Sequence, residues 1–147
     1  MKSIDHEQLG DALAAAGRSA GIHLVLAEHE RVDRLMVAIQ PAGFCLIAGE
    51  IEMTERNAVP NCLRDFRQVK CDAIVTVCPD QRILNRVVAK LAKHLPVSLY
   101  SRVAVFTRAQ LEKGAVTQWI SSVAGRDACL NHRCKSAVDS EVCDDGS

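Results

Sequence analysis

Two strand-like segments separated by only four residues constrain the fold of this chain more than any other feature. The segments are VDRLMVAI (residues 32–39) and FCLIAGEI (residues 44–51), and QPAG lies between them. A proline and a glycine in so short a connection are typical of a tight turn, and a tight turn joins strands that pair antiparallel. We therefore expect a β-hairpin in which Ile39 pairs with Phe44, so that paired residue numbers sum to 83.

The remainder of the chain alternates between helix-like and strand-like patterns. Helical spacing of apolar residues and candidate caps predict helices in DHEQLGDALAAAGR, NAVPNCLRDFRQV, PDQRILNRVVAKLAKHL and TRAQLEKGAVTQWISSVAG. The segments IHLVLAEH, DAIVTV and RVAVF predict three further strands. DAIVTV is apolar along almost its whole length, which is typical of a central strand that runs parallel to a neighbour. The predicted fold class is α/β, with a mixed sheet flanked by helices in the order α-β-β-β-α-β-α-β-α.

Length and composition indicate one domain followed by a short tail. A chain of 147 residues, 48% of them hydrophobic, is within the range of a single domain. After about Gly125 the sequence turns polar, so we expect a domain over residues 1–125 and a flexible tail over residues 126–147. Four possible soft metal ligands lie in this tail: Cys129, His132, Cys134 and Cys143. Their spacing matches no standard zinc motif, so we expect a tail without metal.

The charge and motif content exclude several classes of function. Eighteen basic and eighteen acidic residues give no net charge, which argues against a surface wholly committed to nucleic acid but leaves room for a local basic patch. Neither GxGxxG after a strand nor GxxxxGK[ST] is present, so the phosphate loops of nucleotide-binding α/β proteins are missing.

Cysteine usage and hydropathy predict a cytoplasmic protein that does not associate with membranes. No signal peptide and no run of eighteen apolar residues occurs in the sequence. Four of the seven cysteines lie in apolar segments, and we expect small buried side chains of a reducing compartment at these positions: Cys45, Cys62, Cys71 and Cys78.

Three acidic residues lie at the ends of the two hairpin strands. With the register set by the QPAG turn, Asp33 falls directly opposite Glu50. Glu52 points to the same face two residues further on, because side chains alternate along a strand. Convergent carboxylates without His or Cys at matching spacing favour a hard cation, which we expect to be Mg²⁺ or Mn²⁺.

A second interpretation of these acids is open. Asp33 and Glu50 would then be strand-end residues that form surface ion pairs, each worth about 0–1 kcal/mol. The candidate partners are Arg31, Arg34 and Arg56.

RVDRLMV, GFCLIAGEIEMT and CDAIVTVCPD, in this order, resemble the PD-(D/E)XK, or restriction-endonuclease-like, superfamily. The resemblance covers about residues 22–95 and is closest to a small domain appended to DNA-translocating or conjugation proteins of mobile elements. It implies a restriction-endonuclease-like sheet, DNA as the partner and a Mg²⁺- or Mn²⁺-dependent deoxyribonuclease activity.

The resemblance also implies roles for individual residues. Asp33 matches the first metal-binding aspartate of the superfamily and Glu50 its second acidic ligand, while Ile51 would lend a backbone carbonyl to the metal. Glu52 stands where the superfamily usually has a lysine that orients the attacking water. A glutamate there accepts a proton or binds a second metal instead, so catalytic Asp33, Glu50 and Glu52 are one expectation. An inactive member that docks on DNA or on another protein is the alternative.

Basic residues that follow the acids are the candidates for contact with DNA. In the superfamily, helices after the third strand often approach the substrate backbone. The residues that match this placement are Arg56, Arg64, Arg67 and Lys70. Because little of the chain lies outside the core, we expect a homodimer or a larger DNA-processing partner to complete the recognition of a site.

Overall fold

The computed structural model describes residues 2–125, which form an α/β fold. The elements in chain order are α1 (Ile4–Ser19), β1 (Leu24–His29), β2 (Val32–Gln40), β3 (Gly43–Ile51), α2 (Ala58–Arg67), β4 (Ala73–Cys78), α3 (Gln81–His94), α4 (Val97–Tyr100), β5 (Val103–Thr107), α5 (Arg108–Glu112) and α6 (Ala115–Ala124).

The five strands form one mixed sheet in the order β1-β2-β3-β4-β5. β2 is antiparallel to both of its neighbours, β1 and β3, whereas β3, β4 and β5 are parallel. Ile39 pairs with Phe44, so the register predicted from the QPAG turn is confirmed. β4 is central and all six of its residues are buried, as expected for a strand that is covered on both faces.

Helices cover both faces of the sheet and give a three-layer arrangement. One core forms between the sheet and the helices α1, α5 and α6, with Leu13 and Ile120 fully buried in it. The other core forms beneath α2 and α3, with Val87 and Leu91 fully buried. Each face of β3 and β4 therefore contributes to a different core.

Close packing of α1 against the sheet fixes where its first turn lies. A Cβ atom at Gly17 would lie 2.8 Å from the sulfur of Met36, and one at Gly10 would lie 2.7 Å from the Arg34 guanidinium. A larger residue at either position would require the Arg34 or Met36 side chain to move. Arg34 also pairs with Asp11 at 3.0 Å, so α1 lies directly over β2 with its N-terminus near the beginning of that strand.

Several details differ from the sequence-based expectations. Ala12 is exposed, although helical spacing from the buried Leu9 predicts a buried residue at this position of α1. The single helix expected after β5 is two helices, because Gly114 adopts a φ of 90° between them. The start of α5 carries a capping box in which Thr107 and Gln110 bind each other's backbone, a signal that TRAQ contains in the sequence.

The four cysteines expected in the core are all buried. Cys45 is disulfide-bonded, so the expectation of a reduced thiol is wrong at this position, whereas Cys62 and Cys78 are free thiols. The predicted tail with its four possible ligands lies outside the described residues. Within residues 2–125, no helix has both the length and the apolar character that crossing a membrane requires.

Candidate functional site: a pocket of buried carboxyl groups

The three predicted acidic residues line one pocket at the end of the central strands. The pocket has a volume of about 550 Å³. Asp33 near the start of β2, Glu50 near the end of β3 and Glu52 just after β3 all contribute to its wall. Their exposed fractions are 5%, 2% and 5%, so these acids are buried and not surface residues.

The hairpin register explains why Asp33 and Glu50 face the same side. The pair next to them in the β2–β3 ladder is Arg34 with Gly49. Arg34 points toward α1, where it meets Asp11. Because neighbouring side chains alternate across a strand, Asp33 and Glu50 both turn away from the side of Arg34 and face the pocket. There α2 reaches Glu50, and the N-terminal end of α1 reaches Asp33.

Asp33 is held by groups from α1 and from the chain before it. Its Oδ1 accepts a hydrogen bond from Lys2 Nζ at 2.6 Å, and its Oδ2 accepts one from the backbone N–H of Ile51 at 2.8 Å. His6 Nε2 lies 3.4 Å from the same Oδ2, and His6 Nδ1 is buried without a hydrogen-bond partner among the described residues. Sequence reasoning found neither Lys2 nor His6 as a site residue. The predicted role of the Ile51 carbonyl as a metal ligand remains a prediction.

Glu50 belongs to a buried group that includes a fourth acid, Asp65 of α2. Arg64 Nη2 donates to Glu50 Oε2 at 2.8 Å and to Asp65 Oδ1 at 3.0 Å. Asp65 is fully buried, and no nitrogen donor among the described residues reaches its Oδ2. Burial first, and then the neighbouring Asp65, raise the pKa of Glu50 to about 12, so Glu50 favours the neutral form.

Glu52 is held by Asn61 from the same helix. Asn61 Nδ2 donates to Glu52 Oε2 at 2.7 Å, and its amide oxygen accepts from Arg64 Nη1 at 3.2 Å. Burial is the largest effect on Glu52 and raises its pKa to about 7, while the hydrogen bond from Asn61 acts in the opposite direction. Asn61 thus connects the Glu50 and Glu52 carboxyl groups through Arg64.

Each of the three predicted acids already has a hydrogen-bond partner within the protein. Lys2 binds Asp33, Arg64 binds Glu50 and Asn61 binds Glu52. Consistent with this, no group of three or more His, Cys, Asp and Glu side chains within residues 2–125 is arranged to hold a metal ion. The donors are nevertheless carboxylate and amide oxygens, the chemistry that Mg²⁺ and Mn²⁺ prefer.

The basic residues around the site divide into two sets. Arg64 lies in the pocket with 14% of its side chain exposed, and it serves as the internal counter-ion of Glu50 and Asp65. The other predicted DNA contacts are exposed residues outside the wall of the pocket: Arg56, Arg67 and Lys70. Contact of any of these residues with DNA remains a prediction.

Arg31, one of the candidate partners of the acids in the ion-pair interpretation, lies at the pocket. It is exposed, lines the pocket and forms the β1–β2 turn together with Glu30. Both residues adopt positive φ angles, 73° for Arg31 and 49° for Glu30, which is unusual for residues with a side chain. Such turns match the twist of a hairpin but usually contain Asn or Gly, so a turn signal was absent from the sequence here.

The observed partners of Asp33 and Glu50 test the interpretation that these acids form surface ion pairs. Arg34, one of the expected partners, pairs with Asp11 on the other face of the sheet. The cations that meet Asp33 and Glu50 are Lys2 and Arg64, and both acids are buried. Surface pairing with Arg34 is therefore wrong.

Comparison with protein-family models, with curated proteins and with solved structures finds no match for this chain. The resemblance to the PD-(D/E)XK superfamily thus rests on the motifs quoted above.

We predict that Glu52→Gln makes the protein more stable at pH 8 than the unmodified chain. The folded state holds the Glu52 proton with a pKa of about 7 and the unfolded state with one of about 4.5, so the free energy of unfolding falls as pH rises through this window. Glutamine removes this loss while keeping an acceptor for Asn61. The difference between the two proteins should grow by about 2–3 kcal/mol from pH 4 to pH 8 in urea unfolding.

The matched control for this change is Glu112→Gln, at an exposed glutamate of α5. A surface substitution there should alter the free energy of unfolding by less than about 0.5 kcal/mol. A stability difference for Glu52→Gln that does not depend on pH would contradict the burial argument.

We also predict that Arg64→Met destabilises the protein far more than Arg67→Met. Removal of the Arg64 guanidinium leaves Glu50 and Asp65 buried without a cation, which costs about 3 kcal/mol. Arg67 lies on the same helix but is exposed, so its replacement should cost less than about 0.5 kcal/mol. Equal losses in urea unfolding at pH 8 would show that Arg64 does not hold this cluster together.

Proposed function

We propose that this chain is a divalent-cation-dependent DNA endonuclease of the PD-(D/E)XK type, which hydrolyses phosphodiester bonds. The observation that carries the proposal is the convergence of Asp33, Glu50 and Glu52 in one pocket from two adjacent strand ends. Burial of four carboxyl groups in one region costs free energy on folding. Buried polar residues of this kind are found mainly at functional sites. A pocket of about 550 Å³ lies against these groups and is open to a substrate.

Asp33 and Glu50, with the backbone carbonyl of Ile51, would hold the cation, for which we propose Mg²⁺ or Mn²⁺. A bound cation of this kind polarises a phosphodiester and stabilises the negative charge that develops on its oxygens. Oxygen donors from two strands and one backbone group suit such an ion.

The other residues of the pocket would accept a proton, orient the residue that accepts it and contact the phosphate backbone. Glu52 has a pKa of about 7, which suits a proton acceptor at neutral pH, and Asn61 fixes its orientation by holding Oε2. The rim cation Arg31 would meet the phosphate backbone at the entrance to the pocket. We assign more distant backbone contacts to Arg56, Arg67 and Lys70. We propose the cytoplasm as the location on the basis of the free thiols of Cys62 and Cys78.

The second candidate function is a non-catalytic module that docks on DNA or on another protein. One observation favours it: each predicted ligand already has an internal partner, so a cation must displace these contacts before it binds. For either candidate, we propose that a homodimer or a larger DNA-processing partner completes the recognition of a site.

Plasmid nicking in Mn²⁺ or Mg²⁺, compared between the unmodified chain and Glu50→Gln, tests the proposal. Burial favours the neutral form of Glu50, so the neutral glutamine should fold normally while removing a charge that the cation needs. We expect cation-dependent nicking that falls at least about 100-fold in the variant. Glu112→Gln, outside the pocket, should leave nicking unchanged.

The outcomes separate the two candidates. DNA binding that needs no cation and survives Glu50→Gln, with no nicking, supports the docking module. Absence of both nicking and DNA binding contradicts the endonuclease and the DNA-docking module, and leaves docking on another protein.

A further inference from the structure

We propose that Lys2 is an exchangeable internal cation of this pocket. It holds Asp33 Oδ1 when no divalent cation is bound, then yields that oxygen to the cation and turns its ammonium group to a phosphate oxygen of the substrate. This inference rests on the proposed function and identifies how the same site is regulated.

The contacts of Asp33 permit such an exchange. Among the described residues, only Lys2 binds Asp33 Oδ1, whereas the Ile51 N–H and His6 contact the other oxygen, Oδ2. When Lys2 leaves, the two contacts on Oδ2 keep the carboxylate in its orientation. Oδ1 then becomes free to bind a cation without a change in the backbone.

The position of Lys2 in the chain allows its side chain to move without disturbing α1. Lys2 precedes Ser3, which is the N-cap of α1 and accepts a hydrogen bond from the backbone N–H of His6. The cap satisfies the first turn of the helix without Lys2. Lys2 is thus able to withdraw while α1, packed through Gly10 and Gly17, remains in place.

The other pocket cation with a buried partner, Arg64, is unsuited to this role. Arg64 donates to Glu50, Asp65 and Asn61 at once, and only 14% of its side chain is exposed. The Lys2 side chain is 40% exposed and has a single acid partner within 4 Å among the described residues. An ion pair with one exposed member is weak, so a divalent cation at the same carboxylate displaces the lysine readily.

The freed ammonium group remains tethered at the mouth of the pocket. Lys2 and Arg31 both line this pocket, so a displaced Lys2 lies where Arg31 already presents positive charge. An ammonium group offers three donors to phosphate oxygens. Cation binding at Asp33 would therefore increase the positive charge available to the substrate at the rim.

The decisive experiment compares Lys2→Met and Lys2→Arg with the unmodified full chain, each with any purification tag at the C-terminus. Mn²⁺ affinity is measured by calorimetry, and affinity for a short DNA duplex is measured separately in saturating Mn²⁺ at low temperature. We expect Lys2→Met to bind Mn²⁺ about fivefold more tightly and the duplex about fivefold more weakly. Lys2→Arg should keep both affinities within about twofold of the unmodified chain, since it keeps the charge.

The opposite signs distinguish exchange from a structural role, because a damaged pocket would weaken both affinities. Lys113→Met, at an exposed lysine outside the pocket, controls for the general loss of a positive charge. If Glu50→Gln abolishes Mn²⁺ binding but Lys2→Met leaves it unchanged or weaker, the inference fails while the proposed function stands. If the unmodified chain binds no Mn²⁺, both fail.

Discussion

The β2–β3 register is the constraint on which the rest of the site depends. Side chains alternate along a strand, so a slip of one residue in either strand would place Asp33 and Glu50 on opposite faces of the sheet. The two-residue turn at Pro41 and Ala42 sets this register. Gly49 reinforces it, because a Cβ atom there would lie only 2.7 Å from Leu13 of α1. Glu50 therefore faces α2, which carries its counter-ion Arg64, whereas Asp33 meets Lys2, which precedes α1.

The electrostatics of the pocket follow from that placement. Burial raises the pKa values of Glu50, Glu52 and Asp65, so the folded chain disfavours their charged forms. One guanidinium, that of Arg64, contacts both Glu50 and Asp65, and the neutral form that burial favours at Glu50 lowers the remaining charge. An apolar core of the same shape would cost less to fold, which is why we assign this region to function. A divalent cation would supply the positive charge that the cluster lacks.

Much of the fold and part of the site could be predicted because they depend on local signals. The QPAG turn is sufficient to define the hairpin, and the apolar pattern of DAIVTV is sufficient to place β4 inside the sheet and not at its edge. Asp65 could not be recognised, since an acid among polar residues of a helix usually faces solvent. Lys2 and His6 reach Asp33 only because α1 packs closely over β2, and this depends on tertiary contacts at Gly10 and Gly17. The split of the last helix at Gly114 likewise has no unambiguous local signal.

The most direct test of the central claim is a crystal structure of the full chain grown in Mn²⁺ and measured at a wavelength where manganese scatters anomalously. We expect an anomalous peak about 2.1 Å from Asp33 Oδ1 and from a Glu50 oxygen, with Lys2 Nζ withdrawn from Asp33. We also expect the Ile51 N–H to donate still to Asp33 Oδ2. A map without a peak in this pocket, with Lys2 still bound to Asp33 at saturating Mn²⁺, would contradict cation binding at these residues.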